Sequence, residues 1–192
     1  MLGTIQTGKV TDQNENAFFV QIDGITYELK KHELTQDEIP KVGDQVTGFI
    51  YDNKKHEREM TQFLPFAGPD QYGWGKVTEV RYGLGVFVDV GLPDKDIVVS
   101  MDDLPLDKER WPRKDDRLLV RLETDEKERI WAKLADENIF EQLSASFPNN
   151  MNNKNVFATV YSSREIGAFV LTNEYYLGFV PESQMGRTLH LG

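Results

Sequence analysis

The chain has 192 residues, a formal net charge of −10 at pH 7 and no cysteine. The lack of cysteine excludes disulfides and thiolate metal sites and suits a reducing compartment. Residues Met1 to Thr4 lack the basic and apolar regions of a signal peptide, and no stretch approaches the roughly 18 apolar residues of a membrane span. We therefore expect a cytoplasmic protein that does not enter a membrane.

Five short strands are predicted in residues 1–66. The first begins at Gly8 to Val10, the second covers Ala17 to Ile22, and Asp23-Gly24 is a hairpin signal. Three more strands are expected at Ile25–Leu29, Gln45–Tyr51 and Glu59–Leu64. Five strands with a small insert between the third and the fourth are typical of an OB-type barrel.

The pattern restarts in residues 67–135. Gly75-Lys76-Val77-Thr78 repeats Gly8-Lys9-Val10-Thr11 in four identical residues. Further strands are expected at Gly85–Val90, Ile97–Met101, Arg117–Leu122 and Arg129–Leu134. Self-similarity of this length indicates tandem domains, so a second barrel is predicted.

A short helix and a linker are expected in residues 136–150. Ile139, Phe140, Leu143 and Phe147 recur at helical spacing, and Asp136 can cap the first turn. We expect this helix to pack one barrel on the next. The polar residues 148–153 are predicted to form a linker or a turn.

A third copy is expected in residues 151–192. Ala158 to Val160 precedes Gly167 at the spacing seen in the first copy, and Leu191-Gly192 aligns with Val42-Gly43. The copy lacks strands four and five and would leave unpaired edges. We therefore expect an incomplete barrel within a longer protein, or one that another segment completes.

Each copy carries one phenylalanine that alternation places outside the core. In the second copy Val86 and Val88 share one face, while Phe87 lies on the other. The matching residues are Phe19 in the first copy and Phe169 in the third. Three aligned outward phenylalanines suggest a shared surface function.

The motifs around these residues resemble the S1 RNA-binding domain family. Gly167-Ala168-Phe169-Val170 and Gly178-Phe179-Val180-Pro181 match its consensus, as does Val42-Gly43-Asp44-Gln45-Val46. The whole chain resembles the N-terminal S1 region of the bacterial conserved virulence factor B (CvfB) family. The stretches that carry this resemblance are Trp74 to Val77, Lys95 to Ser100, and Leu104-Pro105 leading to Trp111-Pro112.

The resemblance implies an all-β fold of tandem S1-type OB-fold five-stranded barrels with one short linking helix. It implies RNA binding and regulation of gene expression, and a winged-helix domain beyond residue 192. Phenylalanine can stack on nucleic-acid bases, and lysine and arginine follow phosphates. The candidate RNA-binding residues are Phe169, Phe179, Arg164, Phe87, Phe19, Lys9, Lys76, Arg117 and Arg121. The alternative is that the three phenylalanines fill contacts between domains or cover a barrel end.

No enzyme site is expected. His32, His56 and His190 are scattered, and adjacent acidic residues such as Asp102-Asp103 point apart on a strand. We therefore predict no catalytic residue, no metal and no cofactor. The hypothesis is a non-catalytic protein that binds single-stranded RNA and acts post-transcriptionally.

Two alternatives remain open, as does the oligomeric state. One is a protein-interaction scaffold with degenerate S1 barrels. It is motivated by the acidic charge and by positions where S1 domains often carry an aromatic residue (Asn16, Leu84 and Ile166 here) or a histidine (Lys30, Val98 and Pro181 here). The other is the accessory region of a ribonuclease.

Overall fold

The first unit is a closed five-stranded barrel. The computed structural model describes residues 2–147 and 150–192. The strands of this barrel are β1 (Thr4–Gln13), β2 (Ala17–Ile22), β3 (Ile25–Lys30), β4 (Gln45–Asp52) and β5 (Arg58–Thr61). Their order around the barrel is β1-β2-β3-β5-β4, and β3 and β5 are parallel where Leu29 pairs with Met60. This connectivity is that of the predicted OB-type barrel.

Alternate residues of these strands fill the barrel. Val10, Phe18, Val20 and Leu29 are fully buried, whereas Gln21 is exposed. Successive side chains of a strand point to opposite faces, so one face of each strand builds the core. The period-two pattern predicted for β2 is therefore confirmed.

The second unit repeats the same barrel. Its strands are β6 (Gly73–Arg81), β7 (Gly85–Asp89), β8 (Ile97–Ser100), β9 (Arg117–Thr124) and β10 (Ile130–Leu134). They close in the order β10-β8-β7-β6-β9, again with one parallel pair, between β8 and β10. The repeated sequence motif therefore occupies equivalent first strands, β1 and β6.

The third unit is a three-stranded antiparallel sheet. Its strands are β11 (Ala158–Arg164), β12 (Gly167–Thr172) and β13 (Leu177–Pro181). After β13 the chain returns to β11, where the Gly192 N–H donates to the Val160 carbonyl at 2.9 Å. The Leu191 N–H donates to the Arg110 carbonyl of the second unit at 3.0 Å, so the last residues join the two units.

This return repeats a contact found in both barrels. The Gly43 N–H donates to the Val10 carbonyl at 2.8 Å, and the Asp115 N–H donates to the Val77 carbonyl at 2.9 Å. Gly192 makes the same bond in the third unit, also with a positive φ. The predicted alignment of Leu191-Gly192 with Val42-Gly43 is therefore confirmed.

A bulge follows the same valine in every unit. The register shifts between Val10 and Asp12 in β1, between Val77 and Glu79 in β6, and between Val160 and Ser162 in β11. Because a β-bulge bends its strand and increases the local twist, it lets each first strand curve across the unit.

The predicted helix packs the third unit on the second barrel. Helix α1 covers Glu137–Leu143, and the Asp136 side chain accepts a hydrogen bond from the Ile139 N–H at 3.1 Å. Phe140 lies in a small core with Leu119 of β9 and Leu171 of β12. Its ring stacks on Tyr161, with centroids 4.2 Å apart. The expected N-cap and packing role are confirmed.

A polar network centred on the buried Glu59 joins the two barrels. Lys30 forms ion pairs with Glu59, at 3.0 Å, and with Asp94 of the second barrel. Glu59 also accepts hydrogen bonds from the Tyr51 hydroxyl at 2.8 Å and the Asn53 amide at 2.7 Å. Burial opposes the charge of Lys30, but the hydrogen bonds with Asp94 and Glu59 raise its pKa above the ordinary value. Lys30 is therefore held as a cation between the barrels.

Several element ends differ from the prediction. Strand β5 ends at Thr61 rather than Leu64, and Phe63 and Leu64 are exposed. Helix α1 ends at Leu143, which leaves Phe147 exposed instead of in the helical stripe. The linker prediction falls partly on residues 148 and 149, which lie outside the described residues. The domain boundaries given above stay predictions.

We expect Phe140→Ala to loosen the third unit more than either barrel. Removing a buried aromatic ring costs about 3–5 kcal/mol, and this ring contacts both units. Native-state hydrogen exchange should show lost protection in β11 and β12, with smaller changes in β1 and β2. Leu143→Ala is the matched control, because this helical side chain is exposed and should change little. Unaltered protection of β11 and β12 in Phe140→Ala would contradict the role of the ring.

Candidate nucleic-acid interface

The three outward phenylalanines occupy equivalent places. Phe19, Phe87 and Phe169 lie on β2, β7 and β12, just past the bulge of the paired first strand, and all three are half-buried. Each has one cross-strand neighbour on the first strand of its unit and one on the third strand. Side chains of such paired residues lie side by side, so these neighbours define each surface.

The surface around Phe19 is acidic. Its partners are Asp12 on β1 and Glu28 on β3. Just after β1, Asn14 takes the position that is Arg81 or Arg164 in the other units. The Asn14 side chain accepts hydrogen bonds from the Asn16 and Ala17 amides. Two carboxylates beside the ring repel phosphate, so this copy is poorly suited to nucleic acid.

The surface around Phe87 carries an arginine. The Arg81 guanidinium lies 4.6 Å from the centroid of the Phe87 ring. Arg81 also makes two hydrogen bonds to Glu79, at 2.8 and 2.9 Å, and Glu79 is the β6 partner of Phe87. These bonds lower the pKa of Glu79, which keeps the pair ionised.

The surface around Phe169 has two adjacent rings and a cation. Phe179 of β13 pairs with Phe169 across the strands, with ring centroids 4.8 Å apart. The Arg164 guanidinium lies 5.3 Å from the centroid of Phe169, and the β11 partner is the small neutral Ser162. The structure therefore brings together three predicted residues, Arg164, Phe169 and Phe179. Arg164 also forms an ion pair with Glu137 of α1.

Two glycines allow these strands to approach closely. Gly167 begins β12 with a φ of +148°, and a Cβ placed there would lie 2.3 Å from the Val180 carbonyl oxygen. Gly85 begins β7 in the same way, with the Val99 carbonyl oxygen 2.0 Å from such a Cβ. The glycine therefore sets the spacing between the strand that carries the phenylalanine and the next strand.

One predicted equivalence is wrong. The sequence grouped Lys30, Val98 and Pro181 as one position on the third strands. Lys30 pairs with Ala17 and Pro181 pairs with Gly167, at the start of β2 and β12, but Gly85 at the start of β7 pairs with Ser100. Val98 is instead the partner of Phe87, and so it is equivalent to Glu28 and Phe179. A pairing register is set by the sheet and cannot be read from short motifs alone.

The predicted lysines lie on the outside of their first strands. Lys9 is exposed between Gln21 and Gln45. Lys76, at the equivalent place on β6, forms an ion pair with Asp115 at 2.7 Å, and this hydrogen bond raises the pKa of Lys76. Lys9 and Lys76 pair with Gln21 and Asp89, two residues past Phe19 and Phe87, so both stay candidate phosphate contacts only.

The candidate residues Arg117 and Arg121 form a stripe on one face of β9, and this stripe borders the contact between units. Arg117 lies over Trp74, 5.2 Å from its ring centroid, and Arg121 pairs with Glu123 at 3.2 Å. Leu119, between the two arginines, is buried with Phe140. The stripe is therefore interrupted by packing, because the third unit covers the middle of this strand face.

One feature of the interface is missing from the sequence prediction: Arg81 lies over Phe87. The signal for it was an arginine shortly before the glycine that begins the second strand, at Arg81 and Arg164 in two of the three copies. In the third unit Tyr161 adds a further aromatic ring, which occupies the bulge of β11 and lies 6.3 Å from the Phe169 centroid.

Three family models match the chain. Residues 2–62 match an S1 domain, residues 72–133 match the CvfB first S1-like domain, and residues 140–192 match the second domain of virulence regulatory factor CvfB. The chain therefore contains an S1 domain, at residues 2–62, followed by two segments that match CvfB domains. Over most of its length it resembles conserved virulence factor B.

The relatives cover most of this chain. Conserved virulence factor B of Staphylococcus aureus (strain N315) is 33% identical over 171 residues, which are 88% of this chain and 56% of that protein. YitL of Bacillus subtilis (strain 168) is 32% identical over 186 residues, or 97% of this chain and 61% of YitL. This chain thus spans between 56% and 61% of the length of these two relatives.

A solved structure has the same fold. It is the crystal structure of a multidomain protein with nucleic acid binding domains from Streptococcus pneumoniae TIGR4. It matches with a TM-score of 0.90 and 46% identity, over 100% of this chain and 66% of that one. No helix within residues 2–147 or 150–192 is long and apolar enough to cross a membrane.

We expect Gly167→Ala to destabilise the third unit. A side chain at this φ costs about 1–3 kcal/mol, and the new methyl group would push against the Val180 carbonyl. Chemical denaturation should give a lower midpoint, and exchange should rise at β12 and β13. Gly186→Ala is the matched control in the same unit, because an added Cβ there meets no atom within 4 Å. Equal midpoints for the two variants would show that the close approach carries no constraint.

Proposed function

We propose that this chain is a non-catalytic RNA-binding regulatory protein that engages single-stranded RNA through its S1 units. One observation carries the proposal: Arg164, Phe169 and Phe179 meet on one surface of the third unit. An exposed ring, a half-buried ring and a guanidinium are the groups that stack on bases and contact phosphates. The S. pneumoniae relative, described as containing nucleic acid binding domains, supports the same proposal.

The chemistry of this cluster suits unpaired bases. Each base has a π face, and stacking on an aromatic side chain is worth about 1–3 kcal/mol per base. Phe179 is 45% exposed, so its ring has free surface for such a contact. Bases in a duplex stack on each other and cannot reach it, and single-stranded RNA is therefore the proposed substrate class.

The ion pair with Glu137 restrains Arg164. An exposed pair of this kind contributes only about 0.2–1 kcal/mol, so a phosphate can replace the carboxylate at small cost. Arg164 is thereby held over Phe169 in the free protein. It can then turn to a phosphate when a base stacks on the ring.

The net charge of −10 makes a strong non-specific affinity unfavourable. Phosphate attraction depends on lysine and arginine and weakens with salt, so binding should rely on stacking and on several units acting together. We assign the main site to the third unit and a weaker one to Phe87. The regulatory role is proposed to be post-transcriptional and cytoplasmic, by occupying or delivering RNA.

The first barrel favours a second role. Phe19 lies between Asp12 and Glu28, which disfavour RNA there. This barrel is also joined to the second through Lys30 and Asp94. We propose that it acts as a spacer or a protein-contact module. The protein-interaction scaffold, which was an alternative for the whole chain, is thus proposed for this unit alone.

We expect Phe169→Ala and Phe179→Ala each to weaken binding of a fluorescent 12-nucleotide single-stranded RNA about 5- to 100-fold, the loss of one stacked base. Fluorescence anisotropy at two salt concentrations would measure it. Phe19→Ala is the matched control, because it removes the equivalent ring from the acidic copy and should bind as wild type. Lack of binding by the wild type at low salt would refute the proposal, and unchanged binding by both variants would refute the stacking mechanism.

We expect Glu137→Gln to strengthen binding of the same RNA about 2- to 5-fold, because Arg164 no longer has to leave an ion pair. Glu141→Gln on the same helix is the control, since it makes the same change of net charge without touching Arg164. Equal gains in the two variants would show that only the total charge matters. No gain in either would show that the ion pair does not restrain Arg164.

A further inference from the structure

An open groove on the second barrel lies next to the Phe87 surface but is lined by other residues. One wall is β6 and the hairpin that follows it, and the other is the segment from Lys108 to Lys114, in the insert between β8 and β9. The groove has a volume of about 690 Å³, which accommodates a nucleotide.

The floor of the groove is an aromatic pair. Tyr82 and Trp111 have ring centroids 5.6 Å apart. Trp111 is buried, and its indole N–H donates to the Pro105 carbonyl at 2.6 Å. Tyr82 is 67% exposed. The fixed Trp111 ring therefore supports a Tyr82 ring that has free surface for stacking.

Cations outnumber carboxylates in the lining of the groove. Lys108, Arg113 and Lys114 line it together with Glu109 and Glu79, and Glu79 is already paired with Arg81. The Lys108 ammonium lies 5.2 Å from the Tyr82 centroid. None of these three side chains forms an ion pair with a carboxylate within the described residues. The acidic residues that follow already have partners: Asp115 pairs with Lys76, and Asp116 pairs with His190. Three available cations are notable in a chain of net charge −10.

The groove continues the Phe87 surface. Glu79 lines the groove and is also the cross-strand partner of Phe87. Paired residues lie side by side on one sheet face, so the groove and the ring are separated by little more than the Glu79 side chain. Glu79 is bound to Arg81, which covers Phe87. A strand that stacks on Phe87 can therefore pass over the Arg81–Glu79 pair into the groove.

We propose that this groove is a nucleotide subsite, in which Tyr82 stacks on a base while Lys108, Arg113 and Lys114 contact its phosphate. The inference rests on the proposed RNA binding, and it adds a site built from the β8–β9 insert rather than from the strand phenylalanines. The nucleotide is one unit of a strand that crosses Phe87. A free nucleotide has the same chemistry, and the experiment separates the two sources.

The test measures binding of the 12-nucleotide RNA to Tyr82→Ala and to Lys108→Ala/Lys114→Ala. We expect each to bind about fivefold or more weakly than wild type. Leu106→Ala and Lys41→Ala/Lys127→Ala are the matched controls, because they remove one exposed apolar side chain and two exposed basic side chains outside the groove. Amide chemical shifts of residues 79–84 and 107–114 are followed during addition of the RNA or of uridine monophosphate.

The outcomes separate this inference from the proposed function. If Phe169→Ala weakens binding but the groove variants bind like their controls, the groove proposal is overturned and the third-unit site stands. If the groove variants lose affinity while Phe169→Ala does not, the subsite stands and the third-unit site fails. Shifts in both segments with uridine monophosphate but not with RNA would identify a free nucleotide as the ligand. No shift with either would overturn the subsite.

Discussion

The architecture depends on one valine in the first strand of each unit. At this valine the first strand pairs with the second strand and also hydrogen-bonds to the segment that returns to it. Val10 pairs with Val20 of β2, and its carbonyl accepts the Gly43 N–H just before β4. Val77 and Val160 make the same bonds to Asp115 and Gly192. The bulge after this valine lets one strand bend across two edges. Barrel closure and the position of the outward phenylalanine both follow from it.

One backbone thus carries three different surfaces. The phenylalanine stays in place because the bulge and the strand pairing fix it, whereas its neighbours are free to vary. They are two carboxylates at Phe19, an arginine and a carboxylate at Phe87, and a second ring with an arginine at Phe169. Function is carried by such local sites on a common fold. The copies therefore need not share one function.

Carboxylates restrain three cations on or near the first strands of this acidic chain. Arg81 is held by Glu79, Arg164 by Glu137 and Lys76 by Asp115. Each pair is exposed and weak, so it orients the cation without preventing exchange for a phosphate. An acidic protein can in this way limit non-specific attraction to nucleic acid and still present cations where an aromatic ring offers a second contact.

The sequence by itself determined what depends on neighbours along the chain. Alternation predicted β2 and its buried face, the four-residue repeat located β6, and Asp136 marked the start of α1. Only the tertiary structure decided which side chains meet across strands. The register placed Val98 beside Phe87, the hairpin placed Arg81 over that ring, and Phe140 buried Leu119 between two arginines. These contacts join residues on different strands, and a short motif on one strand does not by itself fix how that strand pairs with the next.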